Sequence, residues 1–231
     1  MIDSMIDYRA VRAVLLDLDG TLLDTAPEIA AAACGMLEEL GLEPVKDSDV
    51  RTFIGKGIPH LVRRTLQASL GRDPDERRIG SGLESFFHNY EKHNGQSARP
   101  YAGVLEGLEA MRAAGVPLAC VTNKTAQFTG PLLESTGLAK YFLAVICGDT
   151  VARKKPAPDA VQAACAQLSV TPAEALMVGD SSNDALAARA AGCPVLLVPY
   201  GYSEGVDVQS VDCDGIVPSL LHVAGLLRSQ S

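Results

Sequence analysis

Short, wholly apolar runs alternate along the chain with segments in which apolar residues repeat every three to four positions. The apolar runs match buried parallel strands, whose two faces are both covered. They comprise residues 14–16, 116–121, 143–147, 176–178 and 195–198. The helical patterns comprise residues 104–111, 131–138, 157–168 and 182–191. This alternation predicts an α/β fold, with a Rossmann-like parallel sheet and helices on both of its faces.

The long interval after the first predicted strand contains helical patterns only. Its first helix is predicted to begin with a capping box, in which Thr25 and Glu28 each accept from the other's backbone N–H. A later helix carries apolar residues on one face: Ile79, Leu83, Phe86, Phe87 and Tyr90. We therefore predict an all-helical domain inserted after the first strand, residues 24–97, within a core formed by residues 1–23 and 98–231.

Polar clusters follow the predicted strands at their carboxyl ends, where α/β sheets bind ligands. They are residues 17–21, 122–124, 154–156 and 179–184. Each cluster alone has an ordinary structural explanation, as a helix cap, a turn or a solvated lysine. Their occurrence together, in this order, indicates one site.

The carboxylates in these clusters predict phosphoryl transfer to an aspartate. Asp17, Asp180 and Asp184 would share one pocket, and some of these carboxylates would have to be protonated unless a cation neutralises them. Oxygen-only ligands favour Mg²⁺, and no His or Cys lies near enough in sequence to favour zinc. Asp17 is the predicted nucleophile, and Asp19 is predicted to protonate the leaving group and then deprotonate water.

Further residues complete the predicted site. Thr122, Asn123 and Lys155 are predicted to bind the phosphate oxygens of the substrate, because phosphoryl transfer depends on positioning and charge stabilisation. Gly20 is predicted to let the chain turn sharply after the strand, so that the carboxylates on either side of Leu18 can face one pocket.

Composition and charge argue against several classes of binding partner. The net charge of −8 argues against nucleic acid, which is bound through clustered Lys and Arg. No apolar stretch approaches the length of a membrane span, and the N-terminus lacks a basic segment followed by an apolar one. The six cysteines contain no C-x-x-C pair and are interpreted as buried thiols in a reducing compartment. We expect a cytoplasmic monomer or homodimer that acts on a small phosphorylated metabolite, without a nucleic-acid or membrane partner.

The four clusters resemble, in order, the four motifs of the haloacid dehalogenase superfamily. Asp17 and Asp19 match the first motif, Thr122 the second, Lys155 the third, and Asp180 with Asp184 the fourth. The resemblance covers nearly the whole chain. It implies that Mg²⁺ is held by the side chains of Asp17 and Asp180 and by the backbone carbonyl of Asp19, with Asp184 in support. It also implies that the inserted helices form a cap that closes over the substrate.

Within this superfamily, the residue at the position of Asp19 differs between enzymes that catalyse different reactions. Dehalogenases lack the second aspartate of the first motif and phosphonatases carry a small residue there, whereas phosphomutases keep both aspartates. Four segments also resemble the bacterial phosphoglycolate phosphatases: residues 17–25, 53–57, 90–103 and 148–158. That resemblance implies hydrolysis of 2-phosphoglycolate to glycolate and phosphate through an aspartyl phosphate.

The substrate remains open at this point. Gly55 and Lys56 of the inserted domain are predicted to touch it, with Lys56 meeting a carboxylate, although a turn with a solvated lysine is equally consistent. Sugar phosphates, amino-sugar phosphates and pyrophosphate are alternative substrates, and a β-phosphoglucomutase-like phosphomutase is an alternative reaction. A signalling receiver domain, which also uses Asp, Thr and Lys, is disfavoured by its shorter chain and by Asp19.

Overall fold

The computed structural model describes residues 6–228, so residues 1–5 and 229–231 of the predicted core lie outside the described part. Its strands are β1 (Ala13–Leu16), β2 (Leu23–Asp24), β3 (Arg99–Pro100), β4 (Leu118–Val121), β5 (Ala144–Ile146), β6 (Ala175–Gly179), β7 (Val195–Leu197) and β8 (Gly215–Ile216). Its α-helices are α1 (Ala26–Glu39), α2 (Asp47–Arg51), α3 (Ile58–Leu70), α4 (Glu76–His93), α5 (Val104–Ala113), α6 (Ala126–Ser135), α7 (Asp159–Leu168), α8 (Ser182–Ala191) and α9 (Leu220–Arg228). Short 3₁₀ helices lie at Ala139–Tyr141, Pro172–Glu174, Ser203–Gly205 and Val208–Ser210.

Six parallel strands form the main sheet, in the order β5-β4-β1-β6-β7-β8. β1 lies near the centre, where Val14 is opposite Leu118 of β4 and Leu176 of β6. Each strand predicted from an apolar run is present, with ends displaced by a residue or two. The predicted α/β fold with a parallel sheet is therefore confirmed.

The apolar runs of the inner strands are explained by burial on both faces of the sheet. Side chains alternate along a strand, so Val14 and Leu16 face one layer while Leu15 faces the other. The first layer contains α5 and α9, and the second contains α7 and α8. Because every position of β1 is enclosed, no polar residue interrupts it.

The helices α1 to α4 surround an apolar core of their own, which includes Met36, Leu66 and Phe86. We call residues 24–97 the helical insertion. The chain leaves and re-enters the sheet layer through a two-stranded antiparallel ribbon, in which Leu23 pairs with Pro100. Both predicted domain boundaries lie beside this ribbon, and the division into two domains stays a prediction.

The predicted capping box at the start of α1 is wrong. Thr25 Oγ1 donates instead to Asp19 Oδ1 at 2.7 Å. Glu28 accepts from the backbone N–H groups of Gly95 at 3.0 Å and Ala98 at 3.2 Å. Burial raises the pKa of Glu28 above its ordinary value. These partners are distant in sequence, so local spacing alone could not reveal them.

Helix α6 also differs from its prediction. It begins at Ala126 rather than at residue 131, and Pro131 lies inside it. The backbone N–H of Ala126 donates to Asp149 Oδ1 at 2.9 Å, so a side chain from a neighbouring loop caps the helix. A cap supplied by a distant loop leaves no local signal in the sequence.

The cysteine thiols differ in exposure. All six cysteines are free, and four of them are buried as expected, but Cys34 is exposed and Cys213 is half-buried. None of the helices in residues 6–228 combines the length and the apolar character that crossing a bilayer requires.

Candidate active site

The candidate site lies at the carboxyl ends of three adjacent strands. Asp17 follows β1, Thr122 follows β4 and Asp180 follows β6. Because parallel neighbours end at the same edge, the sheet brings these side chains together. Lys155 reaches the same place from the loop before α7.

Lys155 is enclosed and fully hydrogen-bonded. Its Nζ lies 2.7 Å from Asp17 Oδ1, from Asp184 Oδ1 and from the carbonyl oxygen of Val121. Burial alone would lower the pKa of Lys155, but the carboxylates of Asp17 and Asp184 raise it above its ordinary value. All three ammonium donors are thereby used, as a buried charge requires.

Three buried carboxylates, those of Asp17, Asp180 and Asp184, form an acidic triad. One oxygen of each lies within 4.8 Å of the others. Burial and the neighbouring carboxylates raise the pKa of Asp17, with Lys155 opposing them, and burial and Asp184 raise the pKa of Asp180 to about 7. One lysine does not neutralise three carboxylates, so the triad has the charge and the oxygen donors to hold a divalent cation.

Hydrogen bonds and close backbone contacts hold the triad's side chains in their orientations. Asp184 Oδ2 accepts from the N–H and the hydroxyl of Ser181, at 3.1 and 2.8 Å, in a capping box at the start of α8. A Cβ added to Gly20 would lie 2.3 Å from Asp180 Oδ2, and one added to Gly201 would lie 2.2 Å away. Gly20 also has φ of +90°, so the predicted sharp turn is confirmed.

Asp19 lies outside the triad, facing the helical insertion. Its Oδ1 accepts from Thr25 Oγ1 at 2.7 Å and from Lys124 Nζ at 3.2 Å. Asp17 and Asp19 both line a cavity of about 50 Å³ between the sheet and the insertion. Apolar side chains form much of the remaining wall: Ile29, Ile54, Ile58, Leu61 and Phe86.

Most of the predicted site residues meet at this cavity or directly beside it. The cavity is lined by Asp17, Asp19, Gly55, Thr122 and Asn123, and an adjoining pocket by Lys155, Asp180 and Asp184. Asn123 Nδ2 donates to the carbonyl oxygens of Gly55 and Lys155, both at 2.9 Å, and so joins the insertion to the core. Lys56 is exposed and is not among the residues lining either pocket.

Two residues at the site were not predicted from the sequence. Lys124 belongs to a predicted polar cluster but received no role, although its position after β4 was a usable signal. Tyr202 follows β7 with no motif around it. Its backbone N–H donates to Asp180 Oδ2 at 2.6 Å, and its hydroxyl accepts from the N–H groups of Thr25 at 2.7 Å and Ala26 at 2.9 Å. Tyr202 therefore links the triad to the start of the insertion.

We predict that Tyr202→Phe lowers the free energy of unfolding by about 1–3 kcal/mol. The buried N–H of Thr25 loses its acceptor, and the N–H of Ala26 keeps only a longer bond of 3.3 Å to Asp24 Oδ1. The backbone bond to Asp180 is kept, so the triad should stay assembled. Urea unfolding measures the change. Tyr8→Phe is the matched control, since the Tyr8 hydroxyl is buried without a hydrogen-bond partner in the described part of the chain. Equal effects of the two substitutions would contradict the assigned role of the Tyr202 hydroxyl.

This fold, with an acidic triad, a buried lysine and a helical insertion after the first strand, defines a class of enzyme. Residues 14–198 match the haloacid dehalogenase-like hydrolase family, and the chain belongs to it. The predicted superfamily is thereby confirmed.

The chain is similar to several proteins that are named phosphoglycolate phosphatase. A phosphoglycolate phosphatase from Nitrosospira multiformis is 48% identical over 221 residues, covering 96% of this chain and 97% of the relative. Another from Thiobacillus denitrificans is 46% identical, covering 93% of this chain and 94% of the relative. The crystal structure of a predicted phosphoglycolate phosphatase from Haemophilus somnus has a TM-score of 0.89 at 29% identity, covering 94% of this chain and 98% of that one. The predicted resemblance to bacterial phosphoglycolate phosphatases is confirmed, and the chain is a phosphoester hydrolase acting on a small phosphorylated substrate.

Proposed function

We propose that this chain is a Mg²⁺-dependent phosphatase that hydrolyses 2-phosphoglycolate to glycolate and phosphate. The observation that carries the proposal is the acidic triad with its buried lysine, opening onto a small cavity that Asp19 also lines. The names of the relatives support the choice of substrate. The small volume of the cavity supports a short substrate rather than a large one.

The donor set fits Mg²⁺. Asp17 and Asp180 would hold the ion through their side chains, with the backbone carbonyl of Asp19 as a further oxygen ligand. Asp184 would support the site, since its Oδ1 is shared with Lys155 and its Oδ2 with Ser181. Bound Mg²⁺ would neutralise the carboxylates and the charge that develops on the transferred phosphoryl group.

The chain's own groups would divide the chemistry between two aspartates. Asp17, oriented by Lys155, would attack phosphorus and form an aspartyl phosphate as the ester bond to glycolate breaks. Asp19 would give a proton to the leaving oxygen and then take one from the water that hydrolyses the intermediate. Thr25 and Lys124 orient the Asp19 carboxylate for both transfers. Thr122 and Asn123 are proposed to bind the remaining phosphate oxygens, with Lys155 adding positive charge beside them. Asn123 would do so through its backbone N–H, because both N–H groups of its side-chain amide donate to the carbonyls of Gly55 and Lys155.

The helical insertion is proposed to act as a cap, residues 24–97 on a core of residues 1–23 and 98–231. Its residues Ile54 and Gly55 line the same cavity as Asp17, so closure would exclude bulk water while the phosphoryl group is transferred to Asp17. The ribbon of β2 and β3 is the proposed hinge. The cytoplasmic location, the monomer or homodimer, and the absence of nucleic-acid and membrane partners stay predictions from the sequence.

A phosphate-release panel tests the proposed substrate. We expect kcat/KM for 2-phosphoglycolate to exceed that for glucose 6-phosphate, glucosamine 6-phosphate and pyrophosphate by at least about tenfold. β-Glucose 1-phosphate should release phosphate slowly without conversion to glucose 6-phosphate. Equal turnover of the sugar phosphates would reject the substrate, and conversion of the hexose phosphate would favour the mutase alternative.

A further inference from the structure

Lys124 lies in the cavity beside the proposed acid and base. Its side chain is 4% exposed, and its Nζ donates to Asp19 Oδ1 at 3.2 Å and to the hydroxyl oxygen of Tyr90. The Tyr90 hydroxyl donates in turn to Glu28 Oε1 at 3.3 Å. A lysine ammonium has three donors, so the two protein acceptors leave Lys124 one N–H for a ligand.

The other lysines around the site are placed differently. All three N–H donors of Lys155 are already hydrogen-bonded to protein acceptors. Lys154 Nζ donates to the backbone carbonyl of Lys56, and the side chain of Lys56 is exposed. Among the residues that line the cavity, Lys124 is therefore the cation that keeps a donor for substrate.

The apolar surroundings of Lys124 favour substrates that carry an anionic group. Apolar side chains form the opposite wall of the cavity, including Ile58, Leu61 and Phe86. A substrate carboxylate entering this space loses water and needs a cation as its partner. A cation in a dry, low-dielectric site attracts such a group more strongly than a solvated surface lysine does.

We propose that Lys124 binds the carboxylate of the substrate and so selects short phosphate esters that carry an anionic group. The proposal rests on the proposed function and deepens it by assigning selectivity to one side chain. If the Asp19 carboxylate contacts the ester oxygen of the substrate, Lys124 Nζ lies next to that contact, because it is 3.2 Å from Asp19 Oδ1. In 2-phosphoglycolate the carboxylate carbon is two bonds from that same oxygen. Lys124 thus takes the role that the sequence suggested for Lys56.

Two substrates of equal length test this proposal. 2-Phosphoglycolate is compared with 2-hydroxyethyl phosphate, in which a neutral CH₂OH replaces the carboxylate. We expect Lys124→Met to lower the ratio of their kcat/KM values roughly 100-fold, mainly through KM for 2-phosphoglycolate. Lys124→Arg should keep most of the ratio. Because Lys124 also contacts Asp19, any loss of acid–base function affects both substrates and cancels in the ratio.

The controls use the whole chain with Mg²⁺ present. Lys140→Met makes the same charge change at an exposed position away from the cavity and should leave the ratio unchanged. Thermal unfolding checks that each variant is folded, and Lys124→Gln replaces Lys124→Met if the methionine variant is not. Equal losses on both substrates would overturn the proposal and assign Lys124 to Asp19 alone. A collapsed ratio in Lys56→Met, with Lys124→Met unaffected, would overturn it in favour of Lys56. A wild-type ratio near one contradicts the proposed substrate instead, so the two failures are distinguishable.

Discussion

Asp17→Asn is expected to reduce phosphate release from 2-phosphoglycolate by at least about 10⁴-fold, because an amide cannot form the aspartyl phosphate. The fold should survive. The asparagine oxygen can still accept from Lys155 Nζ, which lies 2.7 Å from Asp17 Oδ1. Phosphate release and thermal unfolding, measured on the same preparation, separate lost chemistry from lost structure.

The matched control for this substitution is Asp212→Asn. The Asp212 side chain is 85% exposed and pairs with Arg189 at the surface, where an ion pair contributes little. It should keep wild-type turnover. If Asp17→Asn retained a tenth or more of the wild-type rate, Asp17 would not be the nucleophile.

Removal of divalent cations is expected to lower turnover by about 10³-fold or more, since charge stabilisation by a bound metal contributes several kcal/mol. Without a cation, the carboxylates of Asp17, Asp180 and Asp184 share a single buried lysine. Their mutual repulsion should be relieved when Mg²⁺ returns. We therefore expect chelation to abolish phosphate release and added Mg²⁺ to restore it.

A binding measurement separates a metal site from a general salt effect. Mg²⁺ should raise the unfolding temperature of the chelator-treated protein in a saturable way, as expected for a ligand that binds only the native state. Asp180→Asn should weaken this response, while Asp212→Asn, at the surface, should not change it. An equal response in the two variants would remove the triad as the metal site.

The parallel sheet could be predicted because both of its faces are buried. The strands β1, β4, β6 and β7 therefore carry uninterrupted apolar runs, and the helices between them carry a 3.6-residue pattern. The edge strand β5 is also apolar throughout, although Val145 within it is exposed. Strand β8 carries no such pattern, since Gly215 and Ile216 are only half-buried at the sheet edge. The start of α6 was missed because Asp149 caps it from another loop.

The residues of the site also fall into two groups, those that the sequence identifies and those that only the structure shows. Asp17, Asp19 and Asp180 follow strands directly, so position along the chain was enough to single them out. The link from Asp180 through Tyr202 to the start of α1 depends on how the loop after β7 folds back, and no local pattern encodes it. The predicted capping box was wrong for the same reason. Thr25 and Glu28 bind Asp19 and Gly95, which are distant in sequence or lie outside the helix.

The sequence by itself determined five strands of the sheet, the helical segments inserted after the first strand, and the order of the chemical clusters beginning with residues 17–21, because strand burial and motif spacing are local properties. The tertiary structure alone decided which donors are still available at the cavity. It shows Lys155 with every donor used, Lys56 at the surface, and Lys124 enclosed beside Asp19. Hydrogen-bond capacity and desolvation depend on every neighbour of a group, and those neighbours come from distant parts of the chain.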